Sequence, residues 1–118
     1  LISPYTDDVQ QRIVANYARA GIECVAERHM GWKDNWSFSE VTPAEIALMA
    51  REVARSKPDA MTVLCTGVQG APFVEELERE LGIPIYDSIA TVVWKSLRLA
   101  SVDTKRVKGW GRLFREVQ

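Results

Sequence analysis

Ala60-Met61-Thr62-Val63-Leu64 is a short apolar run that ends abruptly in Cys65-Thr66-Gly67-Val68-Gln69-Gly70. A run of this length bounded by turn residues reads as a strand buried on both faces, as in a parallel sheet. A helical pattern follows from about Ala71 to Leu81, with Pro72 near its start and Gly82 past its end. Phe73, Leu77 and Leu81 form its inner stripe, and Glu75, Glu76, Glu78, Arg79 and Glu80 read as its solvated face. Strand, glycine-containing turn and helix in this order form one half of a βαβ unit, and the same alternation extends in both directions.

Downstream, Ile83-Pro84-Ile85-Tyr86 reads as a further strand, with Pro84 near its start, where proline is tolerated. Asp87 or Ser88 then starts a last helix that runs to about Ala100. Upstream, Thr42-Pro43-Ala44-Glu45 is a capping box with proline at the first helical position. Ile46, Met49, Ala50 and Val53 follow at helical spacing, and Lys57-Pro58-Asp59 ends that helix. Nearer the start, Thr6 can cap a helix whose first turn carries Asp7 and Asp8. Its apolar face is Val9, Ile13, Tyr17 and Ala20, and Gly21 is its stop. Ile22-Glu23-Cys24-Val25-Ala26 reads as a strand, and the interval from His29 to Val41 as a loop of about a dozen residues, long enough to suspect a role beyond connection. Leu1-Ile2 is too short for a strand, about five or six residues in the usual case, and is expected to be the tail of one that begins upstream.

Strands alternating with helices argue for an α/β three-layer sandwich on a short, mainly parallel four-stranded sheet with right-handed crossovers. Residues 1–102 are expected to form this α/β domain. The tail, 103–118, carries Gly109-Trp110-Gly111 and the apolar Leu113 and Phe114, and is expected to pack on a missing half or a partner.

Composition limits the functional classes. The 118 residues are 47% hydrophobic and 26% charged, ordinary for a single globular domain. Lys+Arg 15 against Asp+Glu 16 leaves a formal charge of −1 with no block of one sign, which argues against nucleic acid or an anionic membrane as partner. No apolar stretch approaches the roughly 20 residues that span a bilayer. Cys24 and Cys65 do not make a disulfide framework, and a reducing, cytoplasmic setting is the expectation.

Open parallel sheets bind ligands at the carboxyl ends of their strands. Cys65 falls at such an end, ahead of a helix whose dipole would favour a thiolate. The amides of Thr66, Gly67 and Val68 could hold a carboxylate or enolate oxygen. Position alone leaves Cys65 equally open to being a small buried residue. His29, Cys24, Tyr5, Asn35 and the four tryptophans are each readable as structural when taken singly. No Walker loop, GxGxxG, zinc spacing or nucleophile elbow is present.

Taken together, Ser3-Pro4-Tyr5-Thr6, Val9-Gln10-Gln11-Arg12, Ala20-Gly21-Ile22-Glu23-Cys24-Val25, Asp34-Asn35, Leu64-Cys65-Thr66-Gly67 and Gly109-Trp110-Gly111-Arg112-Leu113 resemble the C-terminal half of the aspartate/glutamate racemase superfamily. The resemblance is to its maleate cis–trans isomerase and arylmalonate decarboxylase branch and covers essentially the whole chain. It implies one half of a pseudo-symmetric two-domain protein, with a site between the halves and cysteine chemistry that uses no metal or organic cofactor. By resemblance Cys65 is the second-half catalytic cysteine, Tyr5 hydrogen-bonds a substrate carboxylate, Asn35 matches a substrate-binding asparagine seen in maleate isomerases, and Thr66 and Gly67 offer amides to carboxylate or enediolate oxygens. Val68 belongs to the same substrate-binding loop. The implied partners are a small carboxylic acid, the N-terminal half of the same protein and further copies in a homo-oligomer. The implied activity is isomerisation or decarboxylation of small carboxylic acids. The alternatives are an amino-acid or hydantoin racemase of the same superfamily, and a catalytically silent carboxylate-binding or interaction domain.

Overall fold

The computed structural model describes residues 1–117. Its strands are β1 (Ile2–Ser3), β2 (Arg28–His29), β3 (Met61–Val63) and β4 (Ile85–Asp87), and its helices are α1 (Asp7–Arg19), α2 (Asn35–Phe38), α3 (Pro43–Ala54), α4 (Val74–Leu81), α5 (Ser88–Leu99) and α6 (Arg112–Glu116). The sheet is parallel throughout, in the order β2-β1-β3-β4. The register sets Ile2 beside Arg28 and Val63, and Val63 beside Asp87. The carboxyl ends of β1, β3 and β4 therefore lie in a row.

Successive strand residues face opposite sides of the sheet. Ile2, Val63 and Ile85 pack into one cluster with Ile46, Ala50 and Val53 of α3 and Val74 and Leu77 of α4. Each fully buried large aliphatic here is worth roughly 1.5–3 kcal/mol relative to exposure, so α3 and α4 are held by burial more than by propensity. On the other side Tyr86 and Trp94 pack with Ala90, Leu113 and Phe114, bringing α5 and α6 onto the sheet. Between α1 and α5 a cavity of about 550 Å³ opens over Leu1, Thr62, Leu64 and Tyr86.

The capping box of α3 forms as the sequence predicts. Thr42 Oγ1 accepts the Glu45 amide at 3.3 Å, and Glu45 Oε2 accepts the Thr42 amide at 2.8 Å. The Thr42 hydroxyl also donates to Glu45 Oε2, at 2.7 Å, and with the Thr42 amide it holds the Glu45 carboxyl below its ordinary range. Gly21, with φ +78°, closes α1.

Four expectations are corrected. Residues 22–26 are not a strand. The ladder of β2 runs from the Ala26 carbonyl, which accepts the Leu1 ammonium at 3.0 Å, to the Met30 amide on Ser3. Residues 22–25 lie outside the paired length of β1, and Ile22 and Val25 are exposed. The interval 29–41 is not all loop, because Asp34 accepts the Ser37 amide at 3.0 Å and caps the four-residue α2. On α1, Val9 is exposed and Gln10 is wholly buried, since Ser3 donates to Gln10 at 2.6 Å and Gln10 donates to Glu27 at 2.9 Å. Glu78 is not on a solvated face. It is 5% exposed and accepts the amides of Ile85 at 2.9 Å and Arg112 at 2.7 Å. In the tail, Leu113 and Phe114 are buried against Ala71 and Ala90 and the Trp94 indole donates to the Val117 carbonyl at 3.0 Å, while Trp110 stays exposed.

Candidate active site

β3 ends at Val63, and the chain leaves the sheet through Leu64 and Cys65. Cys65 takes φ +128°, a region that non-glycine residues occupy only when their surroundings hold them there. The Leu64 amide donates to the Ile2 carbonyl at 2.8 Å, and the Cys65 amide donates to Ser88 Oγ at 3.0 Å. The Cys65 carbonyl accepts the Val68 amide at 3.3 Å, closing a turn, and within it the Gly67 N–H points at Cys65 Sγ, 3.3 Å away. The thiol is thus half-buried and turned back over its own loop.

Tyr5 arrives from the end of β1. Pro4 fixes the turn, and the Tyr5 amide donates to Ser3 Oγ at 3.4 Å. Its ring meets Phe38 edge-on, with centroids 5.6 Å apart and planes at 85°. Tyr5 and Cys65 both pack against the main core beside Phe38. Burial, with the hydrogen bond and charge of Cys65 added, pushes the phenol up to about 12. It therefore remains a neutral donor over the whole working pH range.

Phe38 also explains Gly67. A Cβ there would stand 3.2 Å from Phe38 Cβ and 3.6 Å from Cys65 Sγ, so a side chain would crowd both the aromatic wall and the thiol. Of the three amides predicted to hold an oxygen, Val68's is engaged with Cys65 and its side chain is core. Gly67's is aimed at the sulfur, and Thr66's makes no hydrogen bond among the described residues. Thr66 is exposed. Asn35 opens α2 and is exposed, with no side-chain hydrogen bond among the described residues. The structure therefore brings Tyr5, Cys65 and Gly67 together, sets Thr66 beside them and leaves Asn35 outside the hydrogen-bonded cluster.

Sequence reasoning missed two neighbours. Ser88, singled out only as a helix start, bridges Cys65 to β3, donating to the Val63 carbonyl at 3.3 Å. Asp87, wholly buried, caps α5 by accepting the amides of Ile89 at 2.8 Å and Ala90 at 3.1 Å. Burial raises its carboxyl, against the lowering by those amides. The signal for both was present in Asp87-Ser88 at a strand end, but the position of β3 relative to it was not. His29 is no isolated side chain either: its Nδ1 lies 2.9 Å from Glu27 Oε2, and its Nε2 3.8 Å from Asp7. Burial of Glu27 works against ionisation, yet the hydrogen bonds from His29 and Gln10 win and lower its carboxyl. Cys24 is half-buried and donates only to the Ala26 carbonyl at 3.5 Å. Among the described residues no three His, Cys, Asp or Glu side chains converge as a metal site requires, and no helix is long and apolar enough to cross a membrane.

A family profile for arylmalonate decarboxylase matches residues 1–114. The chain belongs to the arylmalonate decarboxylase family. The arylmalonate decarboxylase of Bordetella bronchiseptica is 30% identical over 118 residues, which is 98% of this chain and 49% of that protein. The maleate isomerase of Nocardia farcinica is 27% identical over 117 residues, 98% of this chain and 46% of that one. The chain thus spans about half the length of the curated relatives it matches. A solved structure of a Nocardia farcinica maleate cis–trans isomerase mutant, which carries a covalently bound succinylcysteine intermediate, superposes with a TM-score of 0.91 at 25% identity. That match covers 99% of this chain and 48% of the other. A crystal structure of arylmalonate decarboxylase gives 0.83 at 27% identity, over 98% of this chain and 52% of that one. In sequence and in fold the chain therefore matches about half of each of these enzymes.

Proposed function

We propose that this chain is the cysteine-bearing half of a cofactor-independent isomerase or decarboxylase of small carboxylic acids, with Cys65 as the proton-transferring group. The observation that carries the reading is the placement of Cys65. It is a half-buried thiol at the carboxyl end of a central strand, held at φ +128° beside a neutral phenol. The open Thr66 amide and the Tyr5 hydroxyl are donors for one carboxylate of the substrate, and they serve best for the charge that develops on it as an enediolate.

In the decarboxylating form the bond between the α-carbon and one carboxylate breaks, carbon dioxide leaves, and the electron pair passes into the remaining carboxylate as an enediolate. The S–H of Cys65 then breaks as its proton moves to the α-carbon, and the resulting thiolate is reprotonated from water. A positioned acid of this kind contributes about 10²–10⁴-fold. In the isomerising form a thiolate supplied by the other half adds to one alkene carbon. The electron pair passes to the adjacent carbon, which takes the Cys65 proton; after rotation about the former double bond the Cys65 thiolate takes that proton back, and the returning pair re-forms the double bond as it expels the added thiolate. Tyr5 and Thr66 bind the carboxylate in either form, and Asn35, exposed at the start of α2, is a further candidate for it.

The test is proton NMR in D₂O on the gene product that contains these residues, offered maleate and an arylmalonate separately. Fumarate from maleate establishes isomerisation, and a deuterated arylacetate from the malonate establishes decarboxylation. If neither acid changes, both activities fall, and a racemase or a carboxylate-binding domain takes their place.

A further inference from the structure

The backbone at Cys65 poses a problem of its own. The ladder between β3 and β4 ends at the pair Val63 and Asp87 because the chain turns into α5 at Ser88. The Cys65 N–H, two residues past Val63, would therefore have no backbone carbonyl to meet. The Ser88 hydroxyl takes that place. It accepts the Cys65 amide at 3.0 Å and donates to the Val63 carbonyl at 3.3 Å, so one side chain spans the two ends of the turn out of the strand. Ser88 is itself firmly set, since Asp87 before it is wholly buried and fastened to the amides of Ile89 and Ala90.

Of the hydrogen bonds made by the backbone at Cys65 and its neighbour Leu64 among the described residues, the one through Ser88 is the only one that holds the Cys65 N–H and the only one that comes from α5. The others are the Leu64 amide on Ile2 and the Val68 amide on Cys65, which leave the amide plane of Cys65 free to rotate. Relaxation of φ toward the negative region would swing Sγ away from the Gly67 N–H and the Tyr5 phenol. We propose that Ser88 is a positioning residue, whose hydroxyl holds the Cys65 backbone in its positive-φ conformation and thereby aims the thiol. Among the described residues its hydroxyl hydrogen-bonds backbone atoms alone. The inference rests on the reading of Cys65 as the reacting group.

The experiment compares wild type with Ser88→Ala and Ser88→Thr in two readouts. One is the rate of Cys65 alkylation by iodoacetamide against pH, resolved by peptide mass spectrometry with Cys24 as internal reference. The other is kcat and KM for whichever acid the protein turns over. Ser88→Ala is expected to shift the Cys65 alkylation profile while leaving that of Cys24 in place. It should lower kcat by about a hundredfold, the cost of a reacting group displaced by an ångström, with KM within about threefold. Ser88→Thr keeps the hydroxyl and is expected to restore both. A Cys65 profile in Ser88→Ala that superposes on wild type overturns the proposal, and so does a loss that Ser88→Thr fails to rescue. If wild type turns over nothing while the Ser88→Ala profile still shifts, the functional reading fails and the hold of Ser88 on the thiol stands. Should Ser88→Ala not fold, Ser88→Cys, of similar size with a weaker hydrogen-bonding group, carries the same comparison.

Discussion

Gly111→Ala is expected to destabilise the protein by about 4 kcal/mol, and the geometry says why. Gly111 stands at φ +96° and ψ 178°, ahead of α6, in a region essentially closed to side chains. Occupying it with alanine costs of order 1–3 kcal/mol. The added Cβ would lie 2.6 Å from Val74 Cγ1, and Val74 is 2% exposed in the main core, so it has no room to retreat. Overpacking of this kind costs typically 1–3 kcal/mol more. The same Cβ would lie 3.1 Å from Glu78 Oε2, the atom that accepts the Arg112 amide at 2.7 Å. Gly109→Ala is the control: its φ is +83°, but its nearest neighbour is Glu75 Oε2 at 3.9 Å, so it bears only the backbone cost of about 1–2 kcal/mol. At roughly 4 °C per kcal/mol for a domain near this size, thermal unfolding should place Gly111→Ala some ~15 °C below wild type and Gly109→Ala about 4–8 °C below it. Detachment of the tail instead of global unfolding would show as loss of exchange protection confined to α6. Equal shifts for the two variants, or a Gly111→Ala midpoint within about 3 °C of wild type, would refute the steric argument.

Tyr5→Phe removes the neutral donor beside Cys65 and should lower kcat about 10²-fold, with stability changed by about 1 kcal/mol or less, read by steady-state kinetics beside a urea titration. Because the Tyr5 proton is held more tightly folded (about 12) than unfolded (10.0), the stability it contributes is complete below pH 10 and is lost as pH rises through 12. Wild type should therefore lose ground to Tyr5→Phe over that alkaline window in paired urea midpoints. Glu78→Ala strands the buried amides of Ile85 and Arg112 and is expected to cost about 2–5 kcal/mol, measured by the same denaturation, with Arg112 and its helix losing exchange protection first. Cys24→Ser, at a thiol whose one hydrogen bond among the described residues is to the Ala26 carbonyl, should leave turnover within about twofold of wild type and stability within about 1 kcal/mol, a null result that kinetics and melting can each contradict.

The order of strands and helices was legible in the sequence because its signals are local. The apolar run at 60–64, the Thr42–Glu45 box and Gly21 each fix an element boundary through their own chemistry. β2 was misplaced because Ile22-Glu23-Cys24-Val25-Ala26 has the composition of a strand, while pairing depends on what lies alongside, and the β1 ladder reaches only Ala26 onward. Glu78 was misread and Gln10 passed over for a related reason. Charge and polarity predict exposure on average, and only the fold brings the Ile85 and Arg112 amides to Glu78, or Ser3 and Glu27 to Gln10. Cys65 could be singled out from its place at a strand end. That Tyr5, sixty residues earlier, faces it follows from the neighbouring of β1 and β3, which no local pattern encodes. Ser88 escaped notice because a serine after a strand signals a cap, and here the capping falls to Asp87.

The most direct measurement is turnover by Cys65→Ala, followed by NMR in D₂O beside wild type on the acid that wild type converts. The thiol is half-buried and alanine fills the same Cβ, so the variant should fold with a thermal midpoint within a few degrees of wild type. The account predicts a loss of at least about 10²-fold in turnover, with deuterium no longer delivered to product carbon. Turnover within tenfold of wild type, from a folded variant, would contradict the assignment of Cys65 as the group that moves the proton.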